Sequence, residues 1–266
     1  MQQIDPNIKT YKKALYSPTT ASVNPIEVCL KLKNILEKLE IIFYFNSKFE
    51  DTNIEYDYLI NSAGAYADKI AQKFGLAQDY TMLPFKGIYL KYINDKIAIK
   101  TNIYPVPNLS NPFLGIHYTI TADGSIKIGP TAIPAFWREN YKGFDNFNFN
   151  EMVEILYYET KLFLFNSFNF RNLAVSEMKN YIKSIFIKKA KSMVYEIGDD
   201  FQPIPAGIRS QLLNKTTNEL VQDFVVEHGD NSTHILNAVS PAFTCSFAFA
   251  KYIVEEINQN KAKYYE

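Results

Sequence analysis

The spacing of apolar and polar positions divides the chain into a helical start, a strand-rich middle, a long helical stretch and a tail of strands followed by a helix. Asn24-Pro25 ahead of Ile26, Cys29, Leu30, Ile35, Leu36 and Leu39 predicts a capped amphipathic helix with proline in its first position. A short strand over 41–45 follows. Tyr58-Leu59-Ile60 reads as a buried strand that passes through Asn61-Ser62-Ala63-Gly64 into a helix from about Ala65, closed by Gly75. From Tyr80 the runs turn aromatic and β-branched, and strands are expected over 82–92, 97–106, 113–121 and 125–131. The last two flank Ala122-Asp123-Gly124, a hairpin turn signal. Residues 150–197 repeat at helical intervals through Met152, Ile155, Leu156 and Leu162, which predicts two or three helices. A strand around Ile208, a hairpin over 220–237 turning at His228-Gly229-Asp230-Asn231, and a buried apolar helix opened by Ser240-Pro241 complete the pattern.

Composition narrows the function classes. The 266 residues are 47% hydrophobic and 21% charged, which suits a globular core of one large or two ordinary domains. Acidic and basic residues balance at 28 each, so no cationic surplus points to nucleic acid, and none is expected as a partner. Only Arg138, Arg171 and Arg209 are arginine among the basic residues, which makes each a candidate for a role that lysine could not fill. Cys29 and Cys245 form no disulfide framework or metal motif, and no metal is expected. The first residues show no leader-like pattern and no apolar run reaches membrane-spanning length, so the expectation is a cytoplasmic protein.

No two of the ten glycines are spaced as Gly-x-Gly, so neither a dinucleotide fingerprint nor a phosphate loop is present. Composition and spacing alone stop at an α/β protein.

Longer blocks go further. Ile60-Asn61-Ser62-Ala63-Gly64-Ala65-Tyr66-Ala67-Asp68-Lys69-Ile70-Ala71 is followed by Leu83-Pro84-Phe85-Lys86-Gly87-Ile88-Tyr89. Then come Ile103-Tyr104-Pro105-Val106-Pro107, Pro112-Phe113-Leu114-Gly115-Ile116-His117-Tyr118-Thr119, Asp123-Gly124-Ser125-Ile126 and Gly129-Pro130-Thr131-Ala132. The tail adds Ala206-Gly207-Ile208-Arg209-Ser210-Gln211, Leu220-Val221-Gln222-Asp223-Phe224 and His234-Ile235-Leu236-Asn237-Ala238-Val239-Ser240-Pro241-Ala242. In this order the blocks resemble FAD-dependent oxidoreductases of the D-amino-acid-oxidase-like superfamily, in the branch of L-2-hydroxyglutarate oxidase and dehydrogenase. The resemblance starts near Tyr16-Ser17-Pro18-Thr19-Thr20 and lacks the family's N-terminal FAD-binding segment. The stretch over 49–55 is also shorter than its family counterpart.

The resemblance implies an α/β (α+β) fold, with an incomplete FAD-binding domain beside a mixed or antiparallel-sheet substrate domain with helices. Residues 1–79 would be the remainder of the FAD-binding domain and 80–215 the substrate-binding domain. Residues 216–266 would form a return hairpin and a C-terminal helix on the FAD side. FAD is the implied cofactor and a dicarboxylate or hydroxy acid the implied substrate, with a quinone or oxygen taking the electrons. A quinone would bring peripheral contact with the inner membrane. His117 is the implied base, the alternative being a histidine satisfied on a hairpin face. Arg209, after Gly207-Ile208, is implied to grip a carboxylate or the charge of a reduced flavin, the alternative being a surface ion pair. Lys86 stands where the family has arginine, Thr121 where it often has another, Ile88 for an acidic residue, and Phe243 for alanine. Lys86, Tyr89, Tyr104 and Tyr118 are the implied substrate-side residues. Ala63, Gly64, Gly207, Ser240, Pro241, Ala242 and Thr244 are implied on the cofactor side, the helix start at Ser240-Pro241 directing backbone N–H groups at the flavin. Three readings follow: the C-terminal part of such an enzyme, a remnant or half-enzyme relying on a separately encoded FAD-binding half, and a small-acid binding module using Arg209 and Lys86.

Overall fold

The computed structural model describes residues 3–49, 54–94, 99–107 and 113–264, with side chains to residue 260. Its elements, in chain order, mix runs of strands with runs of helices, consistent with an α/β fold. They fall into two units that interleave along the chain. The first is built from residues 1–55, 87–133 and 173–207, the second from 56–86, 134–172 and 208–266.

In the first unit, helix α1 (Pro25–Lys38) starts where the sequence says it should. The Asn24 Oδ1 accepts the Ile26 N–H at 3.1 Å, and Pro25 occupies a position with no helical hydrogen bond to lose. None of its residues is buried. The strand expected over 41–45 is absent: Ile41, Ile42, Tyr44 and Phe45 are exposed, and no described strand pairs with them. The hairpin does form. Strands β3 (His117–Ile120) and β4 (Ile126–Gly129) run antiparallel around Gly124 at φ 80°. Of the strand expected over 97–106, residues 97 and 98 lie outside the described residues, as do 50–53 and 108–112. The remainder makes a single bridge, Ile103 to Tyr118.

Behind the hairpin, helix α5 (Lys183–Lys191) buries Phe186, Ile187 and Ala190 in a cluster with Ile8, Leu90, Tyr92, Tyr118, Ile126, Ile128 and Phe201. Gly129 sits at φ 134°, and a Cβ there would lie 2.7 Å from the Ile88 carbonyl oxygen and 2.8 Å from Tyr89 Cδ1. Only glycine meets both demands.

The second unit holds a three-stranded sheet in the order β1-β9-β8. β1 (Leu59–Asn61) runs parallel to β9 (Ser232–Asn237), and β9 pairs antiparallel with β8 (Val225–Gly229) across a two-residue turn. β1 is half-exposed, burying only Asn61, because three residues at a sheet edge have covered neighbours on one side only. A 3₁₀ turn at Gly64–Tyr66 leads into α2 (Ala67–Lys73), after which Gly75 takes φ 78°. The hairpin expected over 220–237 is shorter: Leu220 belongs to β7 (Glu219–Leu220), which pairs with β6 (Phe201–Asn214). The larger sheet has the order β3-β4-β2-β6-β7, where β2 (Tyr80–Tyr92) and β6 are long strands whose two halves belong to different units; β5 (Ile133–Pro134) pairs with β2 off this path.

Where two or three helices were expected over 150–197, three form: α3 (Phe149–Phe165), α4 (Phe170–Met178) and α5. Asn148 and Glu151 cap α3, the Asn148 Oδ1 accepting the Glu151 N–H at 3.1 Å. Its core stripe is Ile155, Glu159 and Leu162, so a carboxyl occupies a position the helical period assigns to a hydrophobe. Burial pushes the Glu159 pKa up to about 8. The last helix, α6 (Ser246–Tyr264), is not the buried helix expected: it buries Ile253 and Ile257 but leaves Phe247, Tyr252 and Val254 exposed. It begins at Ser246 and not at Ser240-Pro241; residues 241–245 form turns in which the Ala242 N–H donates to Val239 O at 2.8 Å and the Cys245 N–H to Pro241 O at 3.0 Å.

Two outcomes are expected. Gly129→Ala forces a side chain into backbone and ring at a positive φ, and thermal unfolding should show a loss of roughly 2 kcal/mol or more. Glu159 holds its proton in the folded state up to about pH 8 but releases it near 4.5 when unfolded, so it weakens folding as pH rises from 4.5 towards 8. Urea midpoints of Glu159→Gln relative to the parent should therefore improve across that window and level off above it.

Candidate functional site

Parallel strands leave their carboxyl ends side by side, and in α/β sheets that edge is where ligands sit. β1 and β9 do this in the second unit, with Asn61 opposite His234. The chain beyond β1 turns at once, and Asn61 holds the turn from inside. Its Oδ1 accepts the Ala63 N–H at 3.1 Å, while its Nδ2 donates to Ala67 O at 2.8 Å and to His234 Nδ1 at 3.0 Å. Accepting at Nδ1 places the ring proton on Nε2, an atom that is buried without a partner among the described residues. Burial lowers the His234 pKa, so the ring is neutral near pH 7. Phe74 packs on it with ring centres 5.0 Å apart.

From the other side the Arg138 guanidinium donates to the Ala65 carbonyl and, at 2.6 and 2.8 Å, to both oxygens of Asp68. Held at both ends, the turn presents Ala63 and Gly64 to solvent. Gly64 lies at φ 55°, and nothing comes within 4 Å of where a Cβ would stand.

On the neighbouring strand end, Asn237 is anchored by its Nδ2 to Val221 O at 3.1 Å and Asp223 O at 2.6 Å. Ser240, Pro241 and Thr244 are exposed and Ala242 partly so. The expectation of a helix N-terminus aimed outward from Ser240-Pro241 is corrected here, since those turns spend the Ala242 and Cys245 N–H groups internally and the Thr244 hydroxyl donates to Pro241 O at 3.0 Å. Thus Ala63, Gly64 and the 240–244 turns follow adjacent strand ends within one unit.

Lys86 and Arg209 also belong to the second unit. Lys86 is buried and donates to Asn140 Oδ1 at 3.1 Å, and burial lowers its pKa. Arg209 is half-buried within β6. His117, Tyr89, Tyr104, Tyr118 and Gly207 lie in the first unit. There His117 Nδ1 lies 3.0 Å from Gly115 O, and the ring stacks on Tyr104 with centres 4.5 Å apart. A carbonyl only accepts, so this contact makes Nδ1 the protonated nitrogen and puts the basic lone pair on Nε2. Tyr118, expected along a pocket, is instead fully buried in the core cluster, and its hydroxyl has no partner among the described residues. Lys127 Nζ stands over the Tyr89 ring, 5.0 Å from its centre. Gly207 has nothing within 4 Å of a would-be Cβ.

Sequence reasoning gave no role to Asn61, His234, Asp68 or Arg138. Arginine scarcity was the available signal for Arg138; the other three pair across long sequence separations that no local pattern reveals.

Comparison with known proteins settles the family. The model of the FAD dependent oxidoreductases matches residues 1–256. The chain belongs to that family. It is 38% identical over 222 residues to human mitochondrial L-2-hydroxyglutarate dehydrogenase, covering 80% of this chain and 47% of the relative. It is 32% identical over 206 residues to the L-2-hydroxyglutarate dehydrogenase of Escherichia coli K12, covering 76% and 48%. The chain thus spans about half the length of the curated relatives it matches. A solved structure of Mycoplasma pneumoniae L-α-glycerophosphate oxidase, dithionite-reduced with FAD bound, aligns at a TM-score of 0.51 and 18% identity over 80% of this chain and 45% of that one, a likeness of fold alone. For an FAD dependent oxidoreductase the open turn at Gly64 fits a cofactor that must approach backbone closely. The residues that fit belong to one side of such a site, since the chain has no Gly-x-Gly turn for a pyrophosphate.

Asn61→Ala deletes three hydrogen bonds at one buried point, and urea unfolding should register about 2–3 kcal/mol of lost stability. Because the folded-state pKa of His234 is depressed, its contribution is fully present above about pH 6.5 and is lost as pH falls towards the folded value. That acid-side loss should be smaller in His234→Gln.

Proposed function

We propose that the chain forms the substrate-binding and C-terminal part of an FAD-dependent oxidoreductase that converts L-2-hydroxyglutarate to 2-oxoglutarate. The observation that carries this reading is the 32–38% identity to L-2-hydroxyglutarate dehydrogenases over about four-fifths of the chain. FAD, when bound, supplies the acceptor for the hydride leaving the hydroxyl-bearing carbon. In this reading Ala63, Gly64 and the 240–244 turns line its approach.

His117 takes the hydroxyl proton at Nε2. The contact of Nδ1 with Gly115 O and the stack on Tyr104 support that role by fixing the tautomer and ring plane. Arg209 suits a planar, two-point hold on a substrate carboxylate. Lys86 contributes a point charge whose burial lowers the cost of binding an anion beside it, while Tyr89 and Tyr104 supply aromatic surface. Tyr118 drops out of this account as a core residue.

A second reading, a half-enzyme completed by a separately encoded FAD-binding half, is favoured by one pair of facts: relatives are about twice as long and no Gly-x-Gly lies in this chain. The electron acceptor in either case is a quinone or oxygen.

Flavin titration of the purified chain, followed by fluorescence quenching and absorbance, tests both. Saturable quenching with bleaching on addition of L-2-hydroxyglutarate is the expected result for a self-sufficient chain, and His117→Asn should then slow bleaching by about 10²–10⁴-fold. Quenching that appears only after adding the uncovered half of the Escherichia coli relative supports the half-enzyme. Full flavin loading without bleaching by this substrate sinks the substrate assignment.

A further inference from the structure

Arg138 is 1% exposed and Asp68 fully buried, and the two meet in a two-point pair at 2.6 and 2.8 Å. A guanidinium buried in such a pair also needs partners for the donors the carboxylate leaves over. That of Arg138 donates to the backbone carbonyl of Ala65, inside the 3₁₀ turn at Gly64–Tyr66, and lies over the Tyr66 ring at 5.6 Å from its centre. Its own segment is held by the Arg138 N–H donating to Glu151 Oε2 at 3.0 Å, and Asp68 is steadied by the Met82 N–H at 3.0 Å. Asn61 grips the same turn at Ala63 and Ala67. Between the two grips stand Ala63 and Gly64, exposed, with open space over Gly64.

We infer that Arg138 is a positioning residue for the flavin side of the site: by fixing the Ala65 carbonyl while paired to Asp68, it holds the Ala63–Gly64 backbone in the shape a bound cofactor meets. The inference rests on the FAD reading above for its ligand, but not for its geometry. Only a planar fork reaches two carboxylate oxygens and a separate carbonyl at once; a lysine ammonium keeps the charge and loses the spread.

The test is Arg138→Lys, with Asp68→Glu as a second variant that preserves the charges and shifts the guanidinium relative to Ala65. Amide hydrogen exchange without ligand and FAD titration by fluorescence quenching are measured on each. The expected result is exchange at least about tenfold faster over residues 63–67 with Ser232–Asn237 unchanged, and an FAD Kd raised about tenfold. Unaltered exchange over 63–67 overturns the inference. So does uniform acceleration that includes Ser232–Asn237, or a loosened turn with unchanged FAD affinity. If the parent chain takes up no FAD, the functional reading has failed, and the exchange pattern alone decides this inference: selective loosening of 63–67 upholds it and any other pattern refutes it.

Discussion

A guanidinium does not shed its charge inside a protein, so burying Arg138 obliges the chain to gather an anion and carbonyls around it. That obligation organises the second unit. Asp68 comes from the first turn of α2, Ala65 from the turn before it, Met82 from β2 through Asp68, and Glu151 from the first turn of α3. Residues 65–68, Met82 and Glu151 therefore share one electrostatic centre with Arg138. A pair of this kind contributes little net stability over an apolar packing of the same shape, yet losing one member leaves an uncompensated charge at a cost of ~3–5 kcal/mol. Its effect is to exclude other arrangements of these segments.

The same unit tolerates polar atoms that nothing satisfies. His234 Nε2 and the Oε1 of Glu159 are both buried without a hydrogen-bond partner among the described residues. Each group stays neutral near pH 7 because burial has moved its pKa in the direction that removes charge, His234 downward and Glu159 upward. Neutrality limits the penalty to that of an unmade hydrogen bond, on the order of 1–3 kcal/mol, where a bare ion would cost far more.

What the sequence revealed was local. Asn24-Pro25, Asp123-Gly124 and the three-helix periodicity from Phe149 to Lys191 each involve residues within one or two turns of one another, and each formed as expected. The 41–45 run failed because a β-branched and aromatic stretch reports a strand's own preference and not whether a neighbour exists to pair with it. Ser240-Pro241 failed as a helix start because proline suits a tight turn as well as a first helical position, and the hydrogen bonds to Val239 and Pro241 chose the turn. The family was readable from blocks in register. The partnerships that shape the candidate site, Asn61 with His234 and Arg138 with Asp68, were not, since they are made across 173 and 70 positions.

That first separation bears on how the molecule comes into being. β1 has a single described strand partner, β9, and the two are parallel, so this sheet edge has no local precursor on which to nucleate. During synthesis β1 leaves the ribosome with its partner strand unmade, and stays unpaired until translation has passed Asn237. Closure of so long a loop is slow relative to hairpin formation, which places β3–β4 among the early structures and the site edge among the late ones. A nascent chain halted before β9 would thus carry nearly every helix of the finished protein and the Arg138 grip on the turn after β1, yet lack the strand on which β1 itself is laid down.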